Sequence, residues 1–185
     1  MGKIHASITD DLKDFVAEQK MFFVATAPLT ADGFVNLSPK GLNAFRILDE
    51  KTVAYLDLTG SGAETIAHLS ENQRITIMFC AFTGRPNILR FYGKGRVLEK
   101  GSAEFNELYP QFNAHRGARS IIVIDVTRIA DSCGYSVPKY EFVEDRDVLD
   151  KWCERKSDVD LIAYREKKNS ESLDGLPAFS GEFER

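Results

Sequence analysis

The chain has 185 residues, of which 43% are hydrophobic and 28% charged, and a net charge of −4 at pH 7. This is an ordinary balance for one globular domain with or without a tail. A domain of this length buries roughly 70% of its unfolded surface, so it needs no metal or disulfide staple. Its negative balance excludes a global basic field for nucleic acid. The three cysteines, Cys80, Cys133 and Cys153, are odd in number and lack CxxC spacing, which argues against a disulfide framework or zinc site and for a reducing compartment. No apolar run suits a signal peptide or a bilayer span, so a cytoplasmic protein without membrane contact is expected.

Thr9-Asp10-Asp11 opens a helix: Thr9 is placed to cap it, the two acids suit its positive end, and Leu12, Phe15 and Val16 share one face. Met21 to Ala27 is a β-branched and aromatic run and reads as a strand. Ala31-Asp32-Gly33 reads as a hairpin turn with Gly33 at positive φ, and Phe34 to Leu37 as the return strand. Ser38-Pro39-Lys40-Gly41 then breaks that strand, because Pro39 has no N–H to donate. Thr52 to Leu58 is the next strand, followed by a Gly-rich turn and a helix from Ala63 to Glu71. Strands at 74–82 and 88–98 flank the turn Thr83-Gly84-Arg85-Pro86. Ser102 to Phe112 reads as a helix and Ser120 to Val126 as a buried strand. Residues 147–154 and 159–168 read as charged helices, which puts one domain at 1–168 and a tail at 169–185. Short connections between strands and the lack of regular βα alternation favour an antiparallel sheet or barrel, mainly β with flanking helices (α+β).

The turn Thr59-Gly60-Ser61-Gly62-Ala63-Glu64-Thr65 lies between a strand and a helix. Glycines let a ligand approach the backbone, the first helical N–H groups lack internal partners, and the hydroxyls of Thr59, Ser61 and Thr65 add donors. Alone, such a motif is more often a capped loop than a phosphate cradle. It is not a Walker loop, because Ala63-Glu64 follows Gly62 where Lys-Ser/Thr is needed. Nor is it a Rossmann fingerprint, because Thr65 stands where the third glycine belongs. No acid occurs between Glu71 and Glu99, while Arg74, Arg85, Arg90, Lys94 and Arg96 fall in that interval. The stretch behind the turn is therefore locally positive. Lys40, beside the proline, is a second candidate cation. His5, His68 and His115 have no metal-ligand spacing. The loop Cys133 to Pro138 is distinctive, but a free cysteine is usually a small buried hydrophobe.

Four stretches taken together, Val53-to-Leu58 with its Gly/Ser turn and the helix Glu64-Thr65-Ile66-Ala67-His68-Leu69, then Glu71-to-Phe79, and the segments Asn36-to-Gly41 and Ile88-to-Gly95, resemble the pyridoxamine 5'-phosphate oxidase-related FMN-binding proteins. The resemblance covers roughly residues 22–126. It implies an antiparallel, Greek-key split β-barrel of about six strands that forms a homodimer with FMN at the subunit interface. Carried onto this sequence, it implies flavin-binding roles for Ser38, Pro39, Lys40, Thr59, Gly60, Ser61, Gly62, Glu64 through its backbone N–H, and Thr65, with Arg90 or Arg74 as a supporting cation. Two departures stand out. Ala63-Glu64-Thr65 replaces the Ser-Arg-Lys common in the oxidase proper, and the C-terminal part is acidic rather than Trp- and Arg-rich. They point away from pyridoxamine phosphate oxidation and toward an FMN-dependent oxidoreductase acting on another small organic molecule. The loop Cys133 to Pro138 is a candidate lid. The alternatives are a non-catalytic flavin-binding module and a haem-binding split barrel, the latter requiring an exposed histidine such as His68 or His115.

Overall fold

Buried β-branched runs set the architecture. In the computed structural model, which describes residues 2–180, the elements in chain order are β1 (Ile4–His5), α1 (Asp10–Glu18), β2 (Phe22–Thr26), β3 (Asn36–Lys40), β4 (Phe45–Ile47), β5 (Thr52–Leu58), α2 (Glu64–Asn72), β6 (Arg74–Cys80), β7 (Ile88–Glu99), α3 (Ala103–Leu108), β8 (Ala118–Ser132), α4 (Val148–Glu154) and α5 (Asp158–Lys168). All strand pairings are antiparallel. The sheet runs β3-β2-β6-β7-β8-β5-β4, with β1 added on β8. The non-sequential neighbours β2–β6 and β8–β5 are the crossovers of a Greek-key arrangement. The sheet curls into a split barrel with helices on its flanks.

Eight strands form the sheet, more than the family resemblance implied, because β1 and β4 add short pairings too brief to read from periodicity. The run Ile121 to Ile124 belongs to a strand of 15 residues, longer than its apolar core. Residues beyond Val126 remain paired with β7 even where they face solvent. The two long strands bend at a register shift between Tyr92 and Gly93. A side chain at Gly93 would run into the carbonyl of Asp125, so glycine is needed for the close approach at this bulge.

Two expectations about the first hairpin are corrected. Gly33 does not adopt positive φ. It closes a Thr30–Gly33 turn through its N–H, and glycine is required there because a Cβ would collide with Pro28. Pro39 does not end the strand either, but lies inside β3 opposite Phe23. β3 is the last strand of the sheet, and an edge strand tolerates a residue that cannot donate to a further neighbour.

The barrel interior is aromatic. Phe22 packs on Phe45, Tyr55 and Phe79 at centroid distances of 5.2, 5.6 and 5.6 Å, and Phe45 meets Phe79 at 5.0 Å. These rings come from β2, β4, β5 and β6, so they join strands that are not neighbours in the sheet. A second cluster, with Phe105 and Phe112, packs α3 and the turn after it on the outer face of β5 and β8. Residues 169–180 are not a free tail: Asn169, Ser172 and Phe179 are buried. The remainder of the expected tail lies outside the described residues. No helix among the described residues is long and apolar enough to cross a membrane.

Phe79 is buried at the centre of the aromatic cluster. Phe79→Ala is expected to lower unfolding stability by about 3–5 kcal/mol, read as a shift in the urea midpoint with an unchanged slope.

Candidate functional site

The site is built around an acid inside an apolar strand. Asp57 is 1% exposed, and β5 presents it on the same face as Tyr55. Its carboxylate accepts from Arg119 Nε at 2.6 Å, Lys40 Nζ at 3.1 Å and Ser120 Oγ at 3.2 Å. Burial alone would raise its pKa, but the charges and hydrogen bonds of Arg119 and Lys40 outweigh that and hold it at about 2. Lys40 comes from β3, at one end of the sheet, and Asp57 from β5, next to the other end. The ion pair therefore bridges the opening of the curled sheet.

Asn36, Ser38 and Lys40 alternate along β3 on one half-buried face while Leu37 and Pro39 point outward. Asn36 Nδ2 donates to Thr65 Oγ1 at 3.0 Å and to Thr26 Oγ1 at 3.1 Å, and Ser38 Oγ donates to Asn36 Oδ1 at 2.9 Å. This chain ties β3 to the first turn of α2. The hydroxyl of Tyr55 is buried beside Thr65 without a well-formed hydrogen bond among the described residues. Burial pushes its pKa well above the usual value. The Lys40 ammonium lies 5.9 Å from the centroid of the same ring.

The glycine turn is held from behind. Arg119 Nη1 donates to Gly62 O at 2.9 Å. Asn169 Nδ2 donates to Gly60 O at 3.0 Å and to Gly62 O at 3.4 Å. Arg165, fully buried, donates to Thr59 Oγ1 at 2.9 Å and Ala118 O at 3.1 Å. With its carbonyls drawn inward, the turn leaves the N–H groups of Ser61, Gly62, Glu64 and Thr65 with no acceptor among the described residues. That is the arrangement of an anion cradle at a helix start. The structure shows an anion there already: a Cβ built on Gly62 would strike the Glu64 carboxylate, so this side chain folds back over the turn.

The expected residues divide accordingly. Ser38, Lys40, Gly60, Ser61, Gly62, Glu64 and Thr65 are brought together. Thr59 lies in the same turn, but its hydroxyl is buried and donates to Gly117 O at 2.8 Å, so it positions the turn instead of facing a ligand. Pro39 points outward on the edge strand. Arg90 does not belong with the turn: it pairs with Ala130 toward the far end of β8, whereas the turn adjoins Ala118, and it donates to Ser132 Oγ at 2.9 Å. Arg74 donates to Pro28 O and Asn72 Oδ1. The acid-free stretch distributes its cations along β6, β7 and the connection between them, and Arg74 and Arg90 are bonded elsewhere than at the turn. The cation there is Arg119, from β8. The loop Cys133 to Pro138 approaches the β6–β7 turn, with Gly134 against Asn87. His68 is fully buried against Thr26, and the largely buried His115 ring has Nε2 2.9 Å from an Asp150 carboxylate oxygen, so neither is an exposed ligand for haem. No metal-binding cluster of His, Cys, Asp and Glu occurs among the described residues.

The model of the family described as pyridoxamine 5'-phosphate oxidase matches residues 8–133. The chain belongs to the pyridoxamine 5'-phosphate oxidase family. It is similar to the pyridoxamine 5'-phosphate oxidase family protein ustO of Aspergillus flavus, at 37% identity over 194 residues, covering 96% of this chain and 78% of that protein. Among solved structures, HupZ of Group A Streptococcus is 27% identical with a TM-score of 0.51, over 66% of this chain and 91% of that one. A Lactobacillus delbrueckii protein assigned as a pyridoxamine 5'-phosphate oxidase shares the fold at 14% identity and a TM-score of 0.52, over 69% of this chain and 98% of that one. The family match ends before α4 and α5, so Arg165 and Asn169, which hold the glycine turn, come from outside it.

The Asp57 carboxyl, at about 2 against an ordinary 3.8, contributes stability that is complete above about pH 4 and is lost as pH falls toward 2, on the order of 2 kcal/mol. Asp57→Asn should remove this acid limb from the stability–pH curve. It should also cost about 3–5 kcal/mol at neutral pH by stranding Arg119 and Lys40, measured by urea unfolding across pH. Asn169→Ala should cost about 1–2 kcal/mol through the freed carbonyls, measured the same way.

Proposed function

We propose that this protein binds FMN and acts as a flavin-dependent oxidoreductase on a small organic substrate other than pyridoxamine 5'-phosphate. The observation that carries this reading is the outward-facing N–H cradle of Ser61 to Thr65 beside the polar face of β3. The residues fit the cofactor. The cradle and the Thr65 hydroxyl would hold its phosphate, Ser38 and Asn36 its polyol chain, and Lys40 a partial negative charge on the ring. The Tyr55 hydroxyl supplies a further donor in the same cluster. From Asn36 to Lys40, β3 spans roughly 13 Å, a length suited to an extended mononucleotide. Bound FMN would supply two-electron chemistry that side chains cannot. The protein's part is to bind and orient it, and no acid–base residue of this chain is required.

Glu64 sets a carboxylate beside the cradle where the oxidase proper commonly carries a cation, so the FMN phosphate would be gripped by N–H groups and hydroxyls and not by a charged side chain at this helix start. A homodimer belongs to the same proposal. β3 is an edge strand, and Leu37 on it and Phe34 and Val35 just before it are exposed at 62, 64 and 74%. An apolar edge of this kind is normally covered.

The absorbance spectrum and mass of the co-purifying molecule test the reading. A yellow protein releasing FMN is expected, and a colourless one that takes up no FMN on titration would refute it. Ser61→Ala should weaken FMN binding, whereas Glu64→Gln should tighten it by about ten-fold at low salt and less at high salt, measured by fluorescence quenching of FMN.

A further inference from the structure

A cavity of about 680 Å³ opens at the Lys40 end of the β3 face, and none of its properties follows from the cradle. Its walls carry Phe82, Tyr140, Phe142, Leu149 and Trp152 around Lys40. The segment from Tyr140 to Arg146 has no regular secondary structure and lies beyond the residues that match the family. Tyr140, Phe142 and Val148 remain 61, 49 and 66% exposed, an unusual cost for apolar side chains gathered around one concavity. Leu42, also in the wall, is held at φ 58°, a conformation disfavoured for leucine. The volume falls within the range of small-molecule sites, and flat aromatic walls suit a flat aromatic guest.

The charge around the opening selects among such guests. Glu18, Glu141, Glu144 and Asp145 line it against Lys20 and Arg146, and Lys40 shares the Asp57 carboxylate with Arg119, so the acids still outweigh the cations around the opening. None of these four carboxylates has an ion-pair partner among the described residues. We infer that the cavity binds a flat aromatic molecule that carries positive charge and no phosphate. Its role as the substrate of the flavin reaction rests on the function proposed above. A phosphorylated ligand would meet net negative charge at this opening.

Trp152 is the sole tryptophan, so its fluorescence reports on the cavity. The protein as purified is titrated with thionine, a flat cation, and with anthraquinone-2-sulfonate, a flat anion of similar size, while flavin absorbance is followed separately. Saturable quenching by thionine is expected, with binding about ten-fold tighter than that of the sulfonate at low salt. Phe142→Ser should weaken thionine about five-fold. Replacing both Glu144 and Asp145 by lysine, at exposed positions where folding is not at stake, should remove or reverse the preference for the cation. Equal or tighter binding of the sulfonate overturns the inference, as does thionine affinity unchanged in both variants. If the purified protein lacks flavin but shows the expected thionine pattern, the cavity site stands and only the flavin reading falls.

Discussion

The buried carboxylate of Asp57 is the interaction on which the rest of the structure depends. A lone charge at that depth would be forbidden by desolvation, so its presence commits Lys40 from one end of the sheet and Arg119 from β8 to the same point. The consequence is geometric. Lys40 holds the edge strand across the open side of the barrel, and Arg119, fixed by Asp57, has a guanidinium nitrogen left over to draw in the carbonyl of Gly62. One acid therefore links barrel closure to the shape of the glycine turn. The arrangement also explains why the turn works without a cation of its own. Arg119 serves it from behind, through a carbonyl, rather than by facing a ligand.

The front of the turn has the opposite character. Its N–H groups form a region of positive potential at the start of α2, and Glu64 answers that potential with its own carboxylate. A carboxylate therefore lies beside the turn without taking its N–H groups. In the proposed flavoprotein the phosphate would bind against the repulsion of Glu64, which would lower affinity below the gross strength of the cradle. Selectivity for the whole cofactor then falls on the neutral groups along β3, on Tyr55 and on Lys40.

The C-terminal third is part of this machinery. Arg165 and Asn169 reach the turn from a sequence separation of more than a hundred residues, and the segment before α4 builds the aromatic cavity beyond Lys40. The family barrel thus supplies the cradle, while residues outside the family match hold its shape and define what lies next to it. The sheet is constrained by its core, and the flanking segments are constrained only by what they cover.

Local patterns in the sequence were enough to place most strands and helices, because apolar periodicity and turn chemistry act within a few residues. Val53 to Leu58, the helix after the Gly-rich turn and the hairpin of β6 and β7 were legible for that reason, and so was the turn as a strand-to-helix connection. The short strands β1 and β4 were not, since pairing with a distant neighbour, and not their own composition, makes them strands. The acid-free run around Arg74 and Arg90 suggested cations near the turn, but consecutive strand residues alternate faces and extend away, so proximity in sequence became distance in space. Asp57 is a lone acid in an apolar strand, a signal that something must neutralise it, although no role for it was expected from the sequence. Only the tertiary structure could say that Lys40 and Arg119 do so, because those partners meet when the sheet curls. The sequence by itself determined the elements and the chemistry of the turn. The closure of the barrel decided which charges reach one another, for electrostatic pairing in a buried site depends on three-dimensional distance and desolvation, neither of which is written along the chain.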